Sequence, residues 1–290
     1  MSRIELEPAV TFDIDCYLDR LGIAAPATTA AGLAILQERQ LCSISFEDID
    51  PLTGVVPALD PEALSDKLLK GGRGGYCFEL NGLFRLALEA LGFSVAPVLA
   101  RVYRDGGEPG PRAHLAFIVT IEGLEWLADV GFGGPGARWP IPVALGRIER
   151  QMGQAYRLIN DMETGETVLQ REEYDGWSSL YGFDRAPVPP CDVEAANFLC
   201  ARWDKMPFST NLTINRLTPG GRVSAFNTSV TEVCGDVVSK RQITDAKDLA
   251  RLLADAFALT IEPATLAVIV RRLGLVDDVN ALPQTGVPAA

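Results

Sequence analysis

One histidine occurs in 290 residues, and the six cysteines include no Cys-x-x-Cys pair. A Cys/His zinc site therefore has almost no ligands to draw on. Cysteines at 16, 42, 77, 191, 200 and 234 are also too sparse for a disulfide scaffold of this length. Basic residues are in deficit: 26 Lys and Arg stand against 38 Asp and Glu, a formal net charge of −12. With no Lys/Arg-rich run to track a phosphate backbone, nucleic acid is excluded as an expected partner. No apolar run approaches the ~20 residues that span a bilayer. The opening Met1-Ser-Arg-Ile-Glu-Leu-Glu-Pro does not have the basic-then-apolar form of a secretory signal. These absences lead to the expectation of a cytoplasmic protein with no membrane attachment and no metal. A hydrophobic content of 48% is enough to bury a substantial core and excludes wholesale disorder.

The chain divides into three blocks. Residues 1–92 carry helical punctuation. Phe12 to Leu21 ends before Gly22, Thr28 or Thr29 can cap a second helix, and Asp60-Pro61-Glu62 opens a third. After Gly71-Gly72-Arg73-Gly74-Gly75 comes a long helix, Tyr76 to Leu91, so this block is expected to be all-helical. Residues 93–190 change period. Strand-like segments at Val95–Tyr103, His114–Ile121, Leu124–Val130, Tyr156–Ile159 and Thr167–Arg171 point to an antiparallel sheet or barrel. A turn-rich stretch, Asp105 to Pro111, separates the first two. Residues 191–290 follow a Pro-rich boundary and combine strands (Leu212–Leu217, Arg222–Phe226) with helices, one capped at Thr244 and one over Pro263–Leu273. The final eight residues, from Pro283, are expected to fray.

The chemistry concentrates on three residues. Cys77 lies at the start of the long helix, where unpaired amides and the macrodipole favour a thiolate and lower its pKa. His114 is the one imidazole that could pair with it. Asp129 follows from a hairpin: with Glu122 and Gly123 as the turn, Ile121 pairs with Leu124, His114 faces Gly131 and Asp129 faces Ala116. Side chains alternate across the sheet, so His114 and Asp129 fall on one face as diagonal neighbours. The other face then presents Leu115, Phe117, Val119 and Ile121 with Trp126, Ala128 and Val130 for packing. A cysteine nucleophile, a histidine base and an acid that orients the ring form a thiol version of the triad, suited to acyl transfer. Gly131-Phe-Gly133-Gly-Pro-Gly136 matches GxGxxG, but Pro135 and Pro140 follow it where a dinucleotide fingerprint needs a helix.

Arg73-Gly74-Gly75-Tyr76-Cys77-Phe78-Glu79-Leu80-Asn81 resembles the active-site motif of the arylamine N-acetyltransferases. His114 and Asp129-Val-Gly-Phe-Gly133 fall where that family carries its other two triad members, and the likeness extends over nearly the whole chain. The resemblance implies an α+β fold: an N-terminal helical bundle, an antiparallel β-barrel and a C-terminal α/β lid with a papain-like Cys-His-Asp arrangement. It also implies ping-pong transfer from acetyl-coenzyme A to a small arylamine. By the same likeness Phe46, Phe132 and Phe208 would line the acceptor pocket, and Gly131 to Gly133 would lie near coenzyme A.

The chain departs from the family pattern at Gln37, Gln40, Ser45, Asp48, Ala113 and Ala201-Arg202-Trp203. None of these is a triad position, but Ala113 and the 201–203 run bear on how the acyl donor is held. An amide synthase that closes macrolactams from carrier-tethered chains is therefore an alternative within the family. A papain-like peptidase and a binding module in which Cys77 is merely buried are alternatives outside it. Arg202 and Arg222 are the candidates for neutralising the phosphates of a coenzyme.

Overall fold

A computed structural model describes residues 12–103 and 108–275. Residues 105–107 of the expected turn and all of the expected frayed tail lie outside the described residues. The first block contains α1 (Ile14–Leu21), α2 (Ala30–Ser43), a short strand β1 (Phe46–Glu47) and α3 (Ile49–Leu52). It continues with α4 (Pro61–Leu64), which runs on as a π-helical turn over Ser65–Lys70, and α5 (Cys77–Ala90). Local chemistry sets the helix ends. Asp13, Thr29 and Asp60 each accept a hydrogen bond from the amide three residues on, and Gly22 closes α1 in the left-handed region. The expectation of an all-helical block fails at β1. Phe46 and Glu47 pair with Asn215 and Ile214 in a distant part of the chain, and two residues carry no period from which a strand could be read.

The second block contributes β2 (Ser94–Val102), β3 (Arg112–Ile121), β4 (Leu124–Ala128) and β5 (Ile141–Pro142). It goes on through β6 (Ile148–Gln151), β7 (Gln154–Asn160), β8 (Thr167–Glu173) and β9 (Gly176–Phe183). These eight strands form one antiparallel sheet in the order β5-β4-β3-β2-β9-β8-β7-β6. A bridge from Leu145 to Leu158 brings the β5 edge round to β7, so the sheet is nearly a closed barrel. The third block adds α6 (Pro190–Arg202), β10 (Thr213–Thr218), β11 (Gly221–Phe226), β12 (Ser229–Cys234) and β13 (Val237–Gln242). It ends with α7 (Ala246–Arg251), continued by a π-helical turn over Leu252–Ala256, and α8 (Pro263–Arg272). Its sheet has the order β1-β10-β11-β12-β13. The cap expected at Thr244 is Asp245, whose carboxylate accepts from the Asp248 amide.

Glu122 and Gly123, both at positive φ, form the expected hairpin turn, and Ile121 pairs with Leu124. The ladder stops sooner than the sequence reading extended it. Its last pair is Phe117 with Ala128, and His114 lies opposite Ala100 of β2 rather than Gly131. Asp129 does not face Ala116, because the chain leaves β4 there and packs onto α5.

Three apolar cores form among the described residues. The α5 face, with Phe78, Leu83 and Phe84, packs on Leu115, Phe117 and Val119 of β3. Ala116, Ile118 and Leu127 point the other way, into the barrel, with Leu158 and Tyr181. Strand β3 is therefore covered on both faces, and burying a residue such as Phe117 contributes about 1.5–3 kcal/mol. The third core lies under the five-stranded sheet and takes in Ile49 and Leu52 of α3. Among the described residues no helix is long and apolar enough to cross a membrane.

Candidate active site

Cys77 is the first residue of α5 and is almost fully enclosed, at 4% exposure. The turn is held from inside by Glu79, whose Oε2 accepts from the Tyr76 amide at 3.2 Å. His114, on the first half of β3, reaches the same point and hydrogen-bonds the Cys77 thiol. Its Nε2 lies 2.7 Å from Asp129 Oδ2, which leaves Nδ1 for the sulfur. Asp129 is in turn fixed through Oδ1, which accepts from Asn81 Nδ2 at 2.9 Å and from the Gly131 amide at 2.8 Å. The structure thus brings together the three residues expected from the sequence: sulfur, imidazole and carboxylate in series.

The electrostatics follow from this order. Burial alone would lower the His114 pKa, but the charge and hydrogen bond of Asp129, with the hydrogen bond to Cys77, push it up to about 10. Burial tends to raise Asp129, yet the His114 charge and the Asn81 and Gly131 donors hold it below the ordinary carboxylate value. Burial pushes the Cys77 thiol up, and the hydrogen bond and charge of His114 pull against it without cancelling it. The sequence reading placed this thiol below its ordinary value. Enclosure outweighs the helix end because a thiolate loses its water while the helix supplies only partial charges.

Around this series, the His114 ring packs on Tyr181 at 4.9 Å and on Phe132 at 5.4 Å, and those two rings meet each other at 5.1 Å, measured between centroids. Phe46 and Phe208 are neighbours at 6.4 Å, and Phe208 meets Tyr76 edge-on at 5.7 Å. The glycines are required by close approach. A Cβ on Gly131 would lie 2.7 Å from the Cys77 Cα, and one on Gly133, at φ +72°, would lie 2.6 Å from the Phe46 ring. Phe46, Asp129, Phe132, Gly133, Arg216 and Arg222 line one cleft. Phe208 lies behind Phe46 and does not line it. Of the two arginines singled out from the sequence, Arg222 lines the cleft, whereas Arg202 is exposed at the end of α6.

The sequence reading missed four supporting residues. Asn81, one turn beyond Cys77, also accepts from the Val130 amide and donates to the Leu115 carbonyl. Gln37 accepts from the Asp129 amide and donates to the Ala137 carbonyl. Tyr181 donates its hydroxyl to Asp129, and Arg216 lines the cleft. The available signal was polarity in apolar company. Asn81 and Gln37 interrupt buried helix faces and need partners there.

An N-acetyltransferase family profile matches residues 29–266. The chain belongs to the arylamine N-acetyltransferase family. An arylamine N-acetyltransferase / N-hydroxyarylamine O-acetyltransferase of Salmonella typhimurium is 35% identical over 236 residues, which are 80% of this chain and 83% of that protein. The structure of the Mycobacterium marinum arylamine N-acetyltransferase in complex with CoA superposes with a TM-score of 0.83 at 29% identity, covering 90% of this chain and 98% of the other. The proansamycin X synthase of Amycolatopsis mediterranei is 32% identical over 183 residues, covering 61% of this chain and 69% of its own. This family member is therefore an enzyme of the transferase class with an α+β fold. Its Gln37 and Gln40, departures from the family pattern, are both buried and fully engaged. Gln40 accepts from the Tyr17 hydroxyl at 2.7 Å and donates to the Leu80 carbonyl at 2.9 Å.

Proposed function

We propose that this family member transfers an acetyl group from acetyl-coenzyme A to the nitrogen of an arylamine or arylhydrazine through a Cys77 thioester. The observation that carries the reading is the Asp129–His114–Cys77 series at the head of α5, beside a cleft that reaches Asp129. The Cys77 thiol gives its proton to His114 as the sulfur attacks the acetyl carbonyl, and the amides of the first α5 turn supply donors for the developing oxyanion. Coenzyme A leaves with a proton from the His114 imidazolium. The amine then attacks the thioester, His114 takes the amine proton, and the thiol is regenerated. Asp129 holds the ring in one tautomer and balances its charge in each half-reaction.

The two substrates suit the cleft in different ways. Phe46, Phe132 and, behind them, Phe208 offer rings for a flat amine, while Arg216 and Arg222 supply positive charge for the coenzyme phosphates on a chain of net charge −12. Gly133 lines the cleft and leaves room there for the coenzyme, whereas Gly131 is buried against Cys77. In this reading residues 1–92 carry the nucleophile, 93–190 carry His114 and Asp129, and 191–290 form an α/β lid. The protein works in the cytoplasm on small molecules, apart from nucleic acid, membrane or metal.

Incubation with acetyl-coenzyme A should leave an acetyl mass on Cys77, and added aniline or hydrazine should discharge it with release of coenzyme A. Acetylation of the amine by Cys77→Ser at the wild-type rate would refute the mechanism. The likeness to an amide synthase gives the second reading, a longer or carrier-tethered acyl donor. A donor-length series decides between them: faster loading of Cys77 by a long-chain pantetheine thioester than by acetyl-coenzyme A supports the second.

A further inference from the structure

Two thiols converge at the head of α5. Cys200, in the last turn of α6, directs its sulfur to the Ala113 carbonyl at 3.3 Å, and the Cys77 sulfur approaches the same oxygen at 3.9 Å. Both side chains are buried, Cys200 completely. Ala113 immediately precedes His114, so the second sulfur sits against the backbone that carries the imidazole. The two thiols also feel each other's charge, since a thiolate at Cys200 raises Cys77. The other four cysteines lie apart from this arrangement, with Cys16 and Cys42 half-buried and Cys191 and Cys234 exposed.

We propose that Cys200 is the covalent partner of Cys77 under oxidation: hydrogen peroxide joins the two as a disulfide and spares the nucleophile from irreversible damage. This rests on Cys77 being the reactive thiol of the site. In the first step the Cys77 thiol passes its proton to His114, its sulfur attacks one peroxide oxygen and the O–O bond breaks. The departing hydroxide takes the proton held by His114 and leaves as water, with Cys77 now a sulfenic acid. In the second step the Cys200 sulfur attacks the Cys77 sulfur and the S–O bond breaks. The hydroxide released takes the Cys200 proton as a second water. Two thiols lose two electrons, and one peroxide is reduced to two waters. A dithiol reverses the link and restores the enzyme. Without Cys200 the sulfenic acid has no neighbouring thiol and proceeds to the sulfinic acid, which a dithiol does not reduce.

The test treats the purified protein, with no acyl donor present, with hydrogen peroxide, blocks remaining thiols and maps the peptides by mass. Wild type should yield a Cys77–Cys200 linked peptide, and after dithiothreitol it should regain about tenfold more activity than Cys200→Ser treated in the same way. In Cys200→Ser, Cys77 should appear as the sulfinic acid. A wild-type protein that shows Cys77 sulfinic acid with no linked peptide overturns the proposal, as does full recovery of Cys200→Ser. The linked peptide is read on wild type alone, so the outcome stands even if Cys200→Ser folds poorly. Acetyl loading of Cys77, measured before peroxide, tests the acyltransfer reading separately.

Discussion

Two buried polar clusters meet on the first turn of α5 and are built in opposite ways. On one side Lys67 bridges Asp50 at 2.7 Å and Glu79 at 2.6 Å, while Arg73 bridges Glu47 at 2.7 Å and Asp50 at 2.8 Å. On the other side the Asp129 carboxylate is met by neutral amides, a phenol and one imidazole. The first cluster uses cations that keep their protons at physiological pH, and it clamps the glycine-rich turn to the helix. The second uses the one side chain whose ordinary titration lies near neutrality, so a proton has somewhere to go. The comparison separates holding from reacting within a few residues of sequence: Glu79 belongs to the clamp and Cys77 to the relay.

The difference can be broken from either side. Asp129→Asn should have the largest effect: kcat/KM for acetyl transfer should fall by about 10³–10⁴ with the fold intact. Steady-state kinetics beside circular dichroism would show it, and a loss below tenfold would remove Asp129 from the relay. Arg73→Ala should act on the clamp instead. It strands Glu47, fully buried, and half of Asp50, and should cost about 3–5 kcal/mol in urea unfolding. A cost under 1 kcal/mol would mean that the cluster holds nothing.

Two smaller effects sharpen the contrast. His114 draws the Cys77 thiol down against burial, so His114→Ala should move the alkaline inflection of iodoacetamide alkylation at Cys77 upward, by about one pH unit or more. An inflection that stays or falls would show that the ring does not act on the sulfur. The smallest effect concerns Glu79. Burial raises its carboxyl to about 7, with Lys67 pulling the other way. Between the unfolded value near 4.5 and 7 the folded chain keeps a proton that the unfolded chain has lost. The Glu79 contribution is therefore fully present at low pH and is lost as pH rises through that window. In Glu79→Gln this slope should disappear, a change of a few degrees in Tm across the window. An unchanged slope would place the titration elsewhere.

What could be read in advance was local. Thr29, Asp60 and Gly22 sit where caps and stops were expected, because a cap involves atoms three or four residues apart. The Glu122-Gly123 turn set the hairpin register for the same reason. The reading then ran past its range by extending the ladder to Gly131. His114 and Asp129 do meet, but through Asn81, Gln37 and Gly131 drawing the chain out of the sheet, not through continued pairing. Elements without a local period were missed: β1, whose ladder partners Asn215 and Ile214 are far along the chain, α6, which begins inside the Pro-rich stretch that marks the block boundary, and the β12–β13 hairpin. Every residue of β13 is exposed, so it has no apolar alternation to read. Strand β3 has apolar residues on both faces, and its orientation was legible only through the hairpin turn and the place of His114.

The order of residues along the chain determined which chemistry was available: one imidazole, a cysteine at a helix start, an acid just past an apolar strand and a turn that joins that strand to the one carrying the imidazole. These are properties of composition and of short-range hydrogen bonding. Tertiary structure decided the rest. It enclosed the sulfur, so that burial overrides the helix end, brought Tyr181 and Gln37 to the acid, and set a second thiol against the same carbonyl. Desolvation and contact between residues a hundred positions apart depend on how the surfaces close together, and no local pattern carries that information.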